Sequence, residues 1–143
     1  KGIGGGNFLI LAADRASALA AAERSIAAMR KVRNVVMPFP GGVVRSGSKV
    51  GSKYKALMAS TNDAYCPTLV GLTRSALAPG VGAVLEIVID GLGEADVAAA
   101  MRAGMHAAVA LGAAAGLLRI SAGNYGGKLG PFHFHLHKLM GTA

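Results

Sequence analysis

The chain has 143 residues, of which 52% are hydrophobic and 15% are charged, so a disordered segment is excluded and one globular domain is expected. Its formal net charge of +8 at pH 7 makes anionic partners admissible, whether nucleic acid, membrane surface or a polyanionic small molecule. Aromatic residues make up only 5%, which disfavours nucleic acid, because single-strand binders and RNA-binding sheets stack bases on aromatic rings.

Two features bear on the cellular compartment. The chain begins with Lys1 and carries no recognisable signal peptide, so we expect a fragment of a protein that is not secreted. Cys66 is the single cysteine and cannot form an internal disulfide, which fits the cytoplasm. Residues 97–118 are apolar but are interrupted by Arg102 and His106, so they predict a buried helix rather than a membrane span.

The first elements in chain order are a strand, a helix and a short strand. The glycines at positions 2, 4, 5 and 6 do not fit the dinucleotide pattern G-x-G-x-x-G, and the apolar run from Phe8 predicts a buried strand with a flexible entry. Asp14 or Ser17 can cap the helix that follows. Val35, Val36 and Met37 predict a second strand that Pro38 ends or places at an edge. The apolar positions of the helix recur at helical spacing: Leu19, Ala22, Ile26 and Met29.

Residues 38–67 fit neither a helix nor a long strand. They carry basic side chains with no acid before Asp63, and a loop of this length inside a small domain is usually functional or disordered. We interpret them as a functional loop that binds an anionic group; the alternative is a solvated, mobile surface loop. The basic residues are Arg45, Lys49, Lys53 and Lys55.

The run from Ala83 to Ile89 predicts a strand with one unusual residue. Glu86 lies among β-branched and apolar residues, on the same face as Val84 and Val88 by alternation. If that face is solvated, Glu86 is an ordinary exposed residue. If it is covered, burial raises the pKa of the carboxyl toward neutrality, as general acid–base catalysis requires.

A second helix and a last strand region follow. Glu94 and Asp96 lie where helix N-termini favour acids. Residues 123–130 invite comparison with a Walker A loop, but Ala122 and Leu129 occupy positions where that loop needs a glycine and a hydroxyl, so we expect a loop or bulge between two strand pieces. The buried stripe of the helix is expected to contain Val97, Met101, Met105 and Ala108.

The residues from Phe132 to His137 alternate between apolar and histidine side chains, which predicts a strand. Histidines two apart on a strand can chelate one metal, but no acid or thiol is near in sequence, so we predict no metal and a polar sheet face. Cys66 precedes a proline and is expected to be a small buried side chain rather than a nucleophile.

The predicted elements follow the order strand, helix, strand and then strand, helix, strand, which is the ferredoxin-like split βαβ plan. The predicted fold class is α+β: a four-stranded antiparallel sheet, two helices on one face and a long inserted loop, in one lobe that spans residues 1–143.

Six segments carry a resemblance to a known family. They are GGNF (5–8), PFPGG (38–42), SKVGSK (48–53), STNDAYCP (60–67), EIVIDG (86–91) and ISAGNYGGKLG (120–130). Together they resemble the formylmethanofuran:tetrahydromethanopterin formyltransferases over nearly the whole chain. The chain most resembles the C-terminal half, taken as the distal lobe, of the bacterial form, which is the D subunit of the formyltransferase/hydrolase complex.

The resemblance implies formyl transfer between N5 of a tetrahydromethanopterin-type pterin and the amine of a methanofuran-type carrier in one-carbon metabolism, without a tightly bound cofactor. It implies a second, N-terminal lobe, dimers or tetramers, and the other subunits of the complex as partners, but neither nucleic acid nor membrane. Glu86 matches the glutamate proposed as the family's acid–base catalyst.

The loop would then bind the substrates. The implied substrate-binding residues are Ser48, Lys49, Ser52, Lys53, Ser60, Thr61 and Asn62. From the charge count we hypothesise that Lys49, Lys53 and Arg45 hold the carboxylates of the carrier's glutamate chain. Candidate donors to the oxyanion are Ser60, Thr61, Asn62 and nearby backbone amides. The alternative is a basic single-lobe domain that binds an anionic ligand or a partner without turnover.

Overall fold

The computed structural model of the protein describes residues 1–123 and 130–141, which form an α+β fold. Every helix within these ranges is too short or too polar to cross a membrane. The strands are Ile3–Ala12 (β1), Val35–Val36 (β2), Val44–Arg45 (β3), Ala83–Gly91 (β4) and Leu117–Ser121 (β5). The helices are Arg15–Met29 (α1), Glu94–Val109 (α2) and Leu136–Leu139 (α3).

The strands make one open antiparallel sheet in the order β2-β4-β1-β5, and β3 also pairs with β4. The sequence predicts four strands, and the long loop supplies the additional one, β3. The apolar run predicts a first strand from Phe8, but β1 starts at Ile3 and includes the glycines. An irregularity in its pairing with β4 lies between Ile3 and Gly6, where Gly5 has a φ of 98° that favours glycine.

The helices α1 and α2 pack on one face of the sheet and enclose the main core. Ser25 of α1 donates a hydrogen bond of 2.8 Å to the Gly104 carbonyl of α2, and a side chain at Gly104 would collide with Met29. The absence of a side chain at this crossing lets the helices approach closely. Core residues include Phe8, Ile10, Ala22, Ile26, Met29, Ile87, Ile89, Val97, Met101, Met105 and Ala108.

The start of α1 is capped as expected, and Asp14 is the capping residue. Its carboxylate accepts a 2.8 Å hydrogen bond from the backbone N–H of Ser17, and the N–H groups of this first turn lower the pKa of Asp14. The predicted apolar stripe of α1 is buried except at Leu19, which is 45% exposed.

The opposite face of the sheet is covered by the loop between β3 and β4. Leu9, Leu11 and Val84 are buried there against Tyr65 and Leu77. This cover decides between the two interpretations of Glu86, because the face to which Val84 belongs is packed rather than solvated.

The end of the chain differs from the prediction. Phe132–His135 does not form a strand, and the residues that follow form the short helix α3, which packs beside α2 through a 2.9 Å hydrogen bond from Arg102 Nε to the Leu139 carbonyl. A strand needs a neighbour to satisfy its backbone, and alternation alone does not provide one. Most of the loop that invited comparison with Walker A, residues 124–129, lies outside the described ranges.

Candidate functional site

Glu86 lies in the middle of β4, half-buried under the loop. The register places Leu9 of β1 opposite it on one side and Val44 of β3 on the other. Alternation along β4 points Ile87 into the helix-side core and Glu86 toward the loop. The short strand β3 therefore closes the side of β4 that would otherwise be open at this position.

Two asparagine amides hold the two oxygens of the Glu86 carboxyl. Asn7 Nδ2 donates to Oε1 at 2.7 Å, and Asn62 Nδ2 donates to Oε2 at 2.9 Å. Burial raises the pKa of Glu86, and the two amide donors, which favour the charged form, only partly oppose this effect. The result is a carboxyl group with a raised pKa, fixed in orientation by donors on both sides.

Asn7 belongs to β1 and bridges two acceptors. Besides Glu86, its Nδ2 donates to the backbone carbonyl of Gly123 at 3.2 Å. A Cβ atom at Gly123 would lie 3.2 Å from Glu86 Oε1, 3.1 Å from Asn62 Nδ2, and closer still to Asn7 Nδ2. Gly123 therefore lies directly against the carboxyl and both amides, and a side chain there has no room.

Asn62 reaches Glu86 from the loop and is 4% exposed. Its backbone carbonyl accepts from Tyr65 N–H at 3.0 Å, in the turn Asp63–Tyr65. The buried Ser46 hydroxyl donates to the Tyr65 carbonyl at 2.7 Å. Gly47, with a φ of 64°, lies close to the Asn62 carbonyl, where a Cβ would approach to 2.7 Å. These hydrogen bonds and the close approach of Gly47 fix the position of the Asn62 backbone over the sheet.

The other predicted binding residues lie farther along the loop, where their polar atoms pair with one another. Thr61 Oγ1 accepts from Ser48 N–H at 3.4 Å and donates to the Lys49 carbonyl at 3.0 Å. Ser60 Oγ accepts from Lys53 N–H at 3.2 Å. The segments 48–53 and 60–63 are thus joined side by side.

The cations of this loop point outward. The side chains of Lys49, Lys53 and Arg45 are exposed, and Lys53 Nζ lies 5.0 Å from the centroid of the Tyr54 ring. Ser52 donates to the Tyr54 carbonyl at 2.9 Å. Of the predicted binding residues, Asn62 is the one seen in hydrogen-bond contact with Glu86 in the described ranges.

Cys66 is 1% exposed, and its sulfur lies 3.2 Å from Thr68 Oγ1 and 3.7 Å from the Gly47 carbonyl. It is a small buried side chain, as expected. His135 and His137 have ring centroids 5.8 Å apart. In the described part of the chain, no group of three His, Cys, Asp or Glu side chains is placed to hold a metal ion.

Sequence reasoning missed Asn7 and Gly123. Asn7 lies two residues before Leu9 on the same strand, so alternation places both side chains on the face of Glu86. The glycines that precede Asn7 favour an irregular segment, so the sequence does not predict that the strand begins before Phe8. No sequence pattern indicates that Gly123 contacts Glu86, because this contact depends on the pairing of β5 with β1. The assembled cluster can take up one proton on a positioned carboxyl and release it again.

Comparisons with known proteins identify the family of the chain. The family model described as "FTR, proximal lobe" matches residues 1–139. The formylmethanofuran–tetrahydromethanopterin formyltransferase of Methylococcus capsulatus is 69% identical over 140 residues, which are 98% of this chain and 47% of that protein. The D subunit of the formyltransferase/hydrolase complex of Methylorubrum extorquens is 55% identical, over 96% of this chain and 44% of its own length.

Solved structures show the same fold. The crystal structure of the Methylorubrum extorquens formyltransferase/hydrolase complex with methylofuran matches with a TM-score of 0.85 at 55% identity, over 97% of this chain and 45% of that one. The formyltransferase of Methanosarcina barkeri matches with a TM-score of 0.83 at 46% identity, over 97% of this chain and 46% of its own.

These comparisons correct two expectations. The matched lobe is described as proximal, not distal. The Methylorubrum protein is less similar to this chain than the Methylococcus protein. The chain spans about half the length of the curated relatives it matches. It belongs to the FTR family, the formylmethanofuran–tetrahydromethanopterin formyltransferases, and matches the family's proximal lobe.

Proposed function

We propose that the chain provides the proton-transfer site of an enzyme that moves a formyl group between N5 of a tetrahydromethanopterin-type pterin and the amine of a methanofuran-type carrier. The observation that carries the proposal is the Glu86 carboxyl, buried in part, raised in pKa and held by two amides. Relatives named for this reaction support it. Both carriers are substrates, and we assign no tightly bound cofactor.

The chemistry needs one such group. The attacking amine adds to the formyl carbon to give a tetrahedral intermediate, and its nitrogen must lose a proton while the leaving nitrogen gains one. Glu86 takes the proton from the first nitrogen and returns it to the second, so it ends in its starting state. A carboxyl with a raised pKa is suited to both halves of this exchange.

The developing oxyanion needs hydrogen-bond donors, each of which contributes about 3–4 kcal/mol in comparable sites. Thr61 uses its hydroxyl hydrogen on the Lys49 carbonyl, whereas the hydroxyl of Ser60 accepts from Lys53 N–H and keeps its hydrogen for another partner. One N–H of Asn62 already serves Glu86. Because the Asn62 amide is engaged with Glu86, we place Ser60 ahead of both Thr61 and Asn62 as the donor to the oxyanion.

The basic loop would bind the carrier. Lys49, Lys53 and Arg45 are exposed, so their charges are available to the carboxylates of a glutamate chain, while Ser48 and Ser52 border the same segment. Lys49→Ala combined with Lys53→Ala should weaken carrier binding and reduce its dependence on salt. Unchanged affinity and salt dependence in the double variant would contradict this role, and Lys31→Ala, on an exposed residue after α1, serves as the charge control.

The rest of the assembly is also part of the proposal. We propose that this lobe is C-terminal in the whole protein, that an N-terminal lobe completes the site, and that the enzyme is a cytoplasmic dimer or tetramer. Other subunits of a formyltransferase/hydrolase complex are candidate partners. The strand order with two helices on one face supports the ferredoxin-like split βαβ plan for this lobe.

The decisive experiment measures formyl transfer from the formyl pterin to the methanofuran-type carrier. This chain, the chain supplied with an N-terminal lobe, and Glu86→Gln in the active preparation are compared. We expect activity that requires the second lobe and falls by a factor of hundreds in Glu86→Gln. Full activity in Glu86→Gln would remove Glu86 from the mechanism, and carrier binding without transfer in any pairing would favour a non-catalytic binding domain.

A further inference from the structure

The two amides that hold Glu86 differ in what they can do when the carboxyl is protonated. Asn7 Nδ2 spends one N–H on Glu86 Oε1 at 2.7 Å and the other on the Gly123 carbonyl at 3.2 Å. If this amide turned over, its Oδ1 would face two oxygens at once. Asn7 is therefore fixed as a donor, and Oε1 always accepts.

Asn62 is less constrained. Its bond to Oε2 at 2.9 Å is the one hydrogen bond of its side chain within the described ranges, while the backbone around it is fixed by the turn to Tyr65. Turning a side-chain amide over exchanges its NH2 group and its oxygen with almost no change of shape. Asn62 can therefore donate to an ionised Oε2 or accept from a protonated one.

We propose that the proton carried by Glu86 resides on Oε2, and that Asn62 turns its amide over to accept that proton while Asn7 continues to donate to Oε1. The inference rests on the proposed function. During transfer the proton leaves the attacking nitrogen for Oε2, is held there against Asn62 Oδ1, and passes to the leaving nitrogen. Asn62 is then a positioning residue, which accepts a hydrogen bond from the protonated Oε2 while Glu86 holds the proton between the two transfers.

Among the residues that the structure describes, the titratable and charged groups around Glu86 do not replace the amides in this role. Tyr65, packed on the same face, has its hydroxyl 3.5 Å from Ser121 Oγ. The Asp63 carboxylate accepts from Gly51 N–H at 3.2 Å and from Thr73 at 3.4 Å. Arg45 of β3 has an exposed side chain, and in the strand register it lies opposite Leu85 of β4, not opposite Glu86.

Two double variants of identical composition test the assignment without any activity measurement. The glutamine in Glu86→Gln resembles the protonated acid, with a fixed acceptor and a fixed donor. In Glu86→Gln/Asn62→Asp, the glutamine accepts from Asn7 and donates to the new carboxylate, so every bond is kept. In Glu86→Gln/Asn7→Asp, the new carboxylate faces the Gly123 carbonyl, and that hydrogen bond is replaced by a contact between two acceptors.

We expect the Asn7→Asp combination in the natural protein to unfold roughly 3–10 °C below the Asn62→Asp combination. Equal midpoints or the reverse order would overturn the assignment. If either combination does not fold, Glu86→Gln alone decides. Nuclear magnetic resonance of its side-chain amides should show the glutamine N–H bonded to Asn62 Oδ1, and a bond to Asn7 Oδ1 instead would overturn it.

The pH profile of formyl transfer gives an independent readout. Asn7 donates to Oε1 in both protonation states but binds the ionised carboxylate more strongly than the neutral acid, so Asn7→Ala should raise the pKa of Glu86 and move the acid limb of the profile to higher pH. Asn62→Ala removes a donor to the ionised carboxyl and an acceptor for the protonated carboxyl, so the two effects on the pKa of Glu86 oppose each other. The acid limb should therefore move less, while the rate of transfer still falls. The opposite order would refute the inference. Full transfer in Glu86→Gln would instead refute the proposed function, whatever the unfolding midpoints show.

Discussion

Gly123→Ala tests whether the cluster around Glu86 sets the rate of transfer. The φ of Gly123 lies outside the left-handed region, so the backbone accepts alanine and the effect comes from contacts alone. The added methyl group would lie 3.2 Å from Glu86 Oε1 and closer to Asn7 Nδ2. Because β1 and β4 are fixed by their pairing, the Asn7 amide has to move and its bond to Glu86 is lost.

The magnitude follows from that bond. A hydrogen bond to a charged group contributes about 1.5–3 kcal/mol, which corresponds to a roughly 10- to 150-fold loss if it acts fully in the transition state. We expect a loss in this range in kcat for formyl transfer, with KM for the carrier nearly unchanged. Gly4→Ala is the matched control, because its methyl group meets only Asp90 Oδ1 at 3.3 Å. A Gly123→Ala variant with kcat within about twofold of the parent would refute the reasoning.

The pKa shifts of Asp14 and Glu86 give stability predictions of opposite sign. Asp14 has a lowered pKa in the folded chain, so its cap stabilises the fold fully at pH values above 3.8, its ordinary pKa, and this stabilisation is lost as the pH falls through the folded-state pKa. Asp14→Ala should therefore lower the thermal unfolding midpoint at neutral pH and much less in acid. Glu86 has a raised pKa, so its contribution to stability is fully present at pH values below 4.5, its ordinary pKa, and is lost as the pH rises through the folded-state pKa. Glu86→Gln should therefore gain stability relative to the parent as pH rises, and thermal unfolding across pH checks both; a Glu86→Gln difference that does not change with pH would contradict the buried carboxyl.

The helices and the strand that carries Glu86 could be predicted because each has a strong local pattern. Met101 and Met105 recur at helical spacing, and Val84, Glu86 and Val88 alternate within a β-branched run. What alternation could not decide was whether the face of Glu86 is covered. That depends on a loop whose own residues have no regular period, and the same limit hid β3, since two residues become a strand only through pairing with β4.

The histidine-rich end shows the opposite failure, because a perfect alternation there did not produce a strand. Phe132–His135 lacks regular structure, and Leu136–Leu139 is helical. Binding residues were proposed from the loop because they are polar and basic, and several of them pair with the loop's own backbone. Hydroxyl and amide side chains satisfy their own loop as readily as they bind a ligand, and the sequence alone does not distinguish the two.

The hydrogen bonds of the site also connect distant parts of the chain. Asn62 is 24 residues from Glu86, Asn7 is 79 residues from Glu86, and Asn7 is 116 residues from Gly123. Contacts over such separations form late in folding, after the loops between them have closed. In a partly folded chain Glu86 would be an ordinary solvated glutamate. Acid–base competence would then appear only when the first and last strands have paired, so the titration of this one carboxyl would report that folding is complete.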